Sequence, residues 1–304
     1  MKIVIAGISG KMGCLLTQEA LERGHRVRGL GRSEAKLPKH IQADSRVEFV
    51  EMASYFDEDI LAKACTGCDA VICAYGIVPH LQLEGQLFLL RAAERANIRK
   101  FVTASWSGDY RRLNLGDMES YDPYMCLRAQ ALLETTIKPI YVFVGVFAET
   151  MFASYHPDNV ERVWWLNDRV EVLTWGTGDE ELTITPMRDS AAYTIEILER
   201  DDAEDGGDWM VYSWRTSLRE AAQVFTKVTG RPKEIVIEGS LDDLAALEAK
   251  ERAKGSKLNY WTYLGLSYFV NLLTGRMEGA NDSRSAEFPD GCRTSMESWF
   301  AASE

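Results

Sequence analysis

Histidine is scarce in this 304-residue chain: there are four, at positions 25, 40, 80 and 156, and no H-x-x-H or H-E-x-x-H spacing joins any two. Paired C-x-x-C units are missing as well, which excludes a zinc-type metal constellation. Cysteine is nearly as sparse. Six residues at irregular spacing (14, 65, 68, 73, 126 and 292) suit reduced thiols and not a disulfide framework. The one C-x-x-C, Cys65-Thr66-Gly67-Cys68, falls where a helix should turn into a strand, so small buried residues at a tight turn account for it. No apolar run approaches the about 18 residues of a membrane span, and no basic region, apolar stretch and cleavage site precede the first strand. A cytoplasmic protein without a membrane partner is the expectation. A basic cluster is lacking too: the net charge is −12, which excludes nucleic acid as a general partner. Finally, there is no G-x-S-x-G elbow of a serine hydrolase, no repeat and no low-complexity segment.

What is present is an alternation of apolar strand-like runs with helical stretches. Strands are predicted at Lys2–Ala6, His25–Gly29, Val47–Met52, Ala70–Ala74, Lys100–Ala104 and Ile140–Val144. Helices are predicted around Met12–Arg23, Asp57–Ala64, Gly85–Ala96 and Met125–Glu134. Such an order gives right-handed βαβ units: an α/β fold with a Rossmann-like, mainly parallel sheet and helices on both faces. Beyond residue 150 the order is mixed, with helices around Ser190–Leu198, Ser217–Thr229 and Leu241–Lys254 and an acidic surface turn at Asp201–Asp208. The division read from the sequence is therefore 1–150 for a nucleotide-binding domain and 151–304 for a smaller α/β substrate lobe intertwined with it. Tyr260–Thr274 is apolar and aromatic, either a buried C-terminal helix or the lining of a hydrophobic pocket.

The most specific signal lies at the start. The apolar strand ends in Gly7-Ile8-Ser9-Gly10-Lys11-Met12-Gly13, which opens an apolar helix. A buried strand, a turn of bare Cα atoms and a helix N-terminus with free N–H groups form a pyrophosphate cradle, so Gly7, Ser9, Gly10, Lys11, Met12 and Gly13 are candidate cofactor residues. At the end of the second strand an NAD site carries Asp or Glu; here Arg32 and Ser33 stand instead, suited to a 2′-phosphate. NADP(H) is the expected cofactor. Ligands of open α/β sheets lie at the carboxyl ends of strands, which adds Ala74, Tyr75 and Gly76 after the fourth strand and Thr103 and Ser105 after the fifth.

With the G-x-x-G-x-x-G turn, Arg32, Gly67-Cys68-Asp69-Ala70-Val71-Ile72 and Gly145-Val146-Phe147 in order, the chain resembles the NmrA-like, isoflavone-reductase-like branch of the atypical short-chain dehydrogenases/reductases. Trp175-Gly176-Thr177-Gly178 and Asp189-Ser190-Ala191-Ala192-Tyr193 fit the resemblance, which covers nearly the whole chain. It implies an NADP-binding domain with Phe147 at the cofactor, and a C-terminal lobe holding a substrate that is often an aromatic or polycyclic secondary metabolite. It also implies a catalytic Lys on the helix after the fifth strand, whereas classical short-chain enzymes carry Tyr-x-x-x-Lys. This chain reads Tyr124-Met125-Cys126-Leu127-Arg128. Tyr and cation keep their one-turn spacing, but Arg stays protonated and serves as electrostatic support, not as a base.

Three readings follow. Tyr124 relays a proton while NADPH reduces a hydrophobic aromatic metabolite; or the cofactor is retained and the reaction is a redox-neutral rearrangement or cyclisation; or the chain senses NADP(H) without turnover. The loop after the fifth strand supplies Asp109 as a candidate acid, with Trp106 and Tyr110 as substrate contacts. Tyr155 and His156 are the candidate roof of the same cavity, His156 being suited to titrate near neutrality. The sequence leaves the substrate and the oligomeric state open.

Overall fold

The computed structural model describes residues 1–152, 165 and 169–302. In chain order its elements are β1 (Lys2–Ala6), α1 (Lys11–Glu22), β2 (Arg26–Gly31), α2 (Lys39–Gln42), β3 (Val47–Glu51), α3 (Glu58–Cys65), β4 (Ala70–Cys73), α4 (Gln86–Arg95), β5 (Lys100–Val102), α5 (Asp122–Glu134) and β6 (Ile140–Phe143). They continue with β7 (Val146–Phe147), α6 (Ala148–Met151), β8 (Glu171–Thr174), β9 (Leu182–Thr185), α7 (Met187–Glu199), β10 (Gly207–Met210), β11 (Trp214–Thr216), α8 (Leu218–Thr229), β12 (Glu234–Ile237), α9 (Leu241–Lys254), α10 (Leu264–Leu273) and α11 (Met296–Ala302).

A seven-stranded sheet runs in the order β10-β6-β5-β4-β1-β2-β3, and every pair from β3 through β6 is parallel. Ile3, Val4, Ile5 and Ala6 are all fully buried, as a central strand covered on both faces requires. The chain leaves β1 toward β2 and β3, then returns to the other side for β4, so the topological switch point lies between β1 and β4. Carboxyl ends of strands at such a point border the ligand crevice of open α/β sheets. The expected α/β, mainly parallel architecture is thus observed.

Most element ends lie within one residue of the sequence-based ones, α5 and α7 each begin three residues earlier, at Asp122 and Met187, and two strand ends move by two residues. β2 runs on to Gly31 because Gly29 has no side chain: a Cβ there would lie 2.3 Å from Cδ1 of Ile8, whose side chain fills the space. β5 stops at Val102, not Ala104; the Thr103 N–H still bonds Ile140, and beyond it the hydroxyls of Thr103 and Ser105 bond the backbone of β6.

The chain forms two compact units. The first comprises Met1–Trp106, Pro123–Val142 and Ser190–Trp209; the second comprises Ser107–Asp122, Phe143–Asp189 and Met210–Glu304. The chain therefore passes between the units several times, and no single cut near residue 150 separates them. Within the second unit, β11-β9-β7 form a three-stranded sheet and β12-β8 a parallel pair. Its interior is aromatic: Trp165 stacks on Phe300 at 5.9 Å, and Phe152, Phe225 and Trp299 pack edge-on or tilted around them. The Gly145-Val146-Phe147 motif has a local cause here. Gly145 adopts φ +71°, and a Cβ would meet the Thr183 carbonyl oxygen at 2.0 Å.

Candidate functional site

The glycine turn is built by close backbone approach. Gly7 has φ +84°, its N–H donates to the Leu30 carbonyl at 2.8 Å, and a Cβ would fall 2.4 Å from the carbonyl oxygen of Ala74. A Cβ on Gly13 would fall 2.3 Å from the Gly7 oxygen, so both glycines are sterically required. Gly10 caps α1 with no side-chain bond, and no acidic residue stands in the first turn. The first-turn N–H groups therefore meet an open, positively polarised helix end. Gly10 and Lys11 are exposed and Ser9 half-buried, whereas the Met12 side chain is buried, leaving only its backbone for a ligand. This cradle fits a pyrophosphate.

Arg32 follows β2, is exposed, and has no hydrogen bond or ion pair among the described residues. An arginine on β2 itself is committed elsewhere. Arg28 caps α3 through the carbonyls of Lys63, Ala64 and Thr66 at 3.2, 3.0 and 2.7 Å and pairs with Glu48. Ser33 is half-buried at the start of the 3-10 turn Glu34–Lys36, and its side chain makes no capping bond there. A guanidinium free to turn, beside an uncommitted hydroxyl, fits a 2′-phosphate.

At the end of β4, Ala74 donates its N–H to Ala6 at 2.7 Å. Tyr75 contributes backbone only: its ring is buried edge-on to Tyr55 at 4.9 Å, and burial raises its phenol well above the ordinary value. Gly76 is exposed and is followed by exposed Ile77 and Val78. At the end of β5, Thr103 and Ser105 are fully buried. The Thr103 hydroxyl donates to the Ile140 carbonyl at 3.1 Å and lies 2.9 Å from the Ser105 hydroxyl, which accepts from the Val142 N–H at 2.9 Å. These hydroxyls, proposed from sequence as cofactor contacts, stitch β5 to β6 beyond the regular ladder. Trp106 is half-buried, with its indole N–H on Thr194 at 2.8 Å.

Tyr124 is buried in the first turns of α5. Arg128, cast as its electrostatic helper, is bound bidentately to Asp208 at 2.5 and 2.9 Å and lies 4.6 Å over the ring of Tyr141. Its charge is met by a carboxylate in the acidic run read as a mere surface turn. Burial pushes the Tyr141 phenol up to about 12. In the second unit Asp109 is buried and accepts from the Arg111 N–H, Nε and Nη2 at 3.0, 2.8 and 2.8 Å. It anchors its own loop through these acceptor contacts. Tyr110 is enclosed between the rings of Tyr121 and Phe143 at 5.8 and 5.1 Å. Phe147 is half-buried at the N-cap of α6. Tyr155 and His156 lie outside the described residues.

Two buried glutamines escaped the sequence reading. Gln82 donates Nε2 to the carbonyls of Gly76 and Tyr75 at 2.8 and 3.3 Å, Gln86 donates Nε2 to the Gln82 carbonyl at 2.8 Å and to its Oε1 at 3.2 Å, and the Ala104 N–H donates to Gln86 Oε1 at 2.8 Å. Their signal was an i, i+4 pair of amides in an apolar stretch directly after a strand. All six cysteines are free thiols, and burial pushes Cys65 and Cys73 up to about 12, which suits packing and not redox chemistry. Among the described residues, no group of three or more His, Cys, Asp or Glu is placed to hold a metal, and no helix is long and apolar enough to cross a membrane.

Comparison with known proteins agrees with this geometry. Residues 7–138 match the family model described as NAD(P)H-binding. The chain is 24% identical over 201 residues to a probable pinoresinol-lariciresinol reductase 3 of Arabidopsis thaliana, covering 65% of this chain and 63% of that protein. It is 27% identical over 212 residues to an isoflavone reductase homolog of Lupinus albus, covering 65% of each. These alignments span just under two thirds of the relatives' length. A solved structure of AtPrR2 with NADP+ and (+)-pinoresinol matches over 99% of this chain and 98% of that one, with a TM-score of 0.79 and 20% identity, a likeness of fold. The first unit is thus a Rossmann-like, NAD(P)H-binding domain. The relatives' names agree with the resemblance to the NmrA-like, isoflavone-reductase-like branch of atypical short-chain dehydrogenases/reductases.

Proposed function

We propose that the protein is an NADPH-dependent reductase of a small aromatic metabolite, working in the cytoplasm, with substrate choice set by the second unit. The observation that carries this reading is the pairing of the glycine cradle with an uncommitted Arg32 where an NAD enzyme carries a carboxylate. Pinoresinol-lariciresinol and isoflavone reductase are the names of its relatives, which supports the aromatic substrate class. Six free thiols suit a reducing compartment.

When bound, NADPH supplies a hydride. The turn holds the pyrophosphate on the N–H groups of α1, Arg32 and Ser33 hold the 2′-phosphate, and the strand ends at Ala74–Gly76 and Ala104–Trp106 line the rest. Tyr124 moves a proton to the reduced substrate from its phenol oxygen, a role worth about 100-fold or more in rate. Replacing it with Phe is expected to lower turnover by about 100-fold with thermal stability retained; unchanged turnover removes Tyr124 from the mechanism.

A second reading is favoured by one observation. Arg128 holds the position of the catalytic cation and is bound by Asp208 and Tyr141, so no mobile, proton-exchanging cation stands one turn from Tyr124. This suits a redox-neutral rearrangement on a retained cofactor. Incubating lignan- and flavonoid-type substrates with protein and NADPH, while following the absorbance of the reduced nicotinamide, decides between them. Product formed with matching NADPH loss is expected; product without loss establishes the redox-neutral reading, and binding without product the sensor.

A further inference from the structure

We infer that Gln82 and Gln86 are positioning residues that hold the strand ends of β4 and β5 in register with the glycine turn, and so set the nicotinamide half of the cofactor site. The inference rests on the proposed placement of NADPH over these strand ends.

Strand β4 ends at Cys73 and β5 at Val102, each followed by one last backbone bond, from the Ala74 N–H to Ala6 and from the Thr103 N–H to Ile140. Beyond them, the Tyr75 carbonyl and the Ala104 N–H require partners from outside the sheet, while the Gly76 carbonyl also accepts from the Val78 N–H at 2.8 Å within its own turn. Gln82 and Gln86 supply these partners from positions that are 2% and 0% exposed. The chemistry fixes both amides. The Ala104 N–H needs an oxygen, so Gln86 turns Oε1 to it and Nε2 to Gln82; the Tyr75 and Gly76 carbonyls need a donor, so Gln82 turns Nε2 to them and Oε1 back to Gln86. No other orientation satisfies every bond.

The local backbone is shaped for this task. Leu81–Gly85 is a π-helical turn directly before α4, a wider register that is found mostly as single turns at functional sites. Gly85 gives the closeness: a Cβ there would lie 3.3 Å from the Leu81 side chain and 3.5 Å from the Tyr75 ring. The relay then meets the cradle. The Ala74 carbonyl, one residue before the peptide held by Gln82, occupies the space where Gly7 has no Cβ. A continuous path of contacts therefore runs from the turn after β1, through Ala74–Gly76 and the two amides, to Ala104 after β5. Arg32 lies after β2, on the opposite side of β1, and has no bond to this path.

That asymmetry gives the test. Adenosine 2′,5′-bisphosphate, which reports the turn and Arg32 but lacks the nicotinamide half, is titrated beside NADPH against wild type, Gln86→Met, Gln82→Met and Ile137→Ala. The last removes part of the same apolar core without touching a relay bond. Both glutamine variants are expected to bind NADPH about tenfold more weakly, the size of one orphaned buried group, with the bisphosphate unchanged. Hydrogen exchange of the Ala104 amide in ligand-free protein is expected to accelerate in Gln86→Met. Should that variant fail to fold, Gln82→Met carries the same comparison. Equal weakening of both ligands, the same NADPH loss in Ile137→Ala at matched melting temperature, or unchanged NADPH affinity in a variant whose relay is broken overturns the inference. A wild type that binds neither ligand overturns the cofactor reading itself, and the inference with it.

Discussion

The β1–β2 side and the β4–β5 side of the same sheet solve one problem by opposite means. At β1 the backbone reaches a ligand because side chains are missing: Gly7 and Gly13 leave no room for a Cβ, and Gly29 leaves space for Ile8. At β4 and β5 the backbone is held because side chains are added, with two glutamines and two hydroxyls standing in for ladder partners. Removing atoms makes a surface that any pyrophosphate can approach. Adding amides makes a fixed frame whose spacing is sensitive to each of its members.

Substitutions on the two sides of the sheet are expected to differ in cost. The largest effect is expected for Gly7→Ala, where a positive φ and a Cβ 2.4 Å from the Ala74 oxygen combine. Destabilisation of about 3 kcal/mol or more in urea titrations is expected, with NADPH binding lost; a variant of native stability would refute the steric account of the turn. Next is Gln86→Leu, which orphans the Ala104 N–H and the partner amide of Gln82. A loss of about 1–3 kcal/mol is expected by the same measurement, and a neutral result would mean that water replaces the side chain without cost. Smaller still is the Arg128–Asp208 pair, whose side chains are 32% and 21% exposed. Asp208→Asn is expected to cost about 0.5–1 kcal/mol and to leave NADPH affinity unchanged; a fall in turnover at constant stability would return Arg128 to the catalytic machinery. Least of all is Gly76→Ala, at the same strand end as the relay. A Cβ there meets nothing within 4 Å, so a change within about 0.5 kcal/mol is expected, and a larger one would show that this turn too depends on a bare Cα.

The same contrast explains what the sequence could reveal. A glycine turn acts through neighbours in sequence, so Gly7-Ile8-Ser9-Gly10-Lys11-Met12-Gly13 between an apolar strand and an apolar helix was readable at once. The parallel sheet was readable for a similar reason, since the burial of β1 and β4 on both faces leaves unbroken apolar runs. Thr103 and Ser105 were located correctly at a strand end, but their bonds depend on β6, almost 40 residues away, and nothing local announces that they face it. Arg128 and Asp208 are 80 residues apart, and the partner sits in a run of acids that reads as solvent-facing. Asp109 reads as a candidate acid in its loop, and nothing local announces that it accepts from Arg111, two residues on. The second unit's short strands, β7, β8, β9, β11 and β12, are of two to four residues and carry too little periodicity to be read without their partners.

The proposed NADPH site makes the choice of nucleotide depend on Arg32 at the 2′-phosphate. Titrating wild type and Arg32→Ala with NADPH and NADH tests it most directly. Wild type is expected to bind NADPH at least about tenfold more tightly than NADH, and Arg32→Ala to erase that difference by weakening NADPH alone. Equal affinities in wild type, or a preference that survives the loss of Arg32, would contradict it.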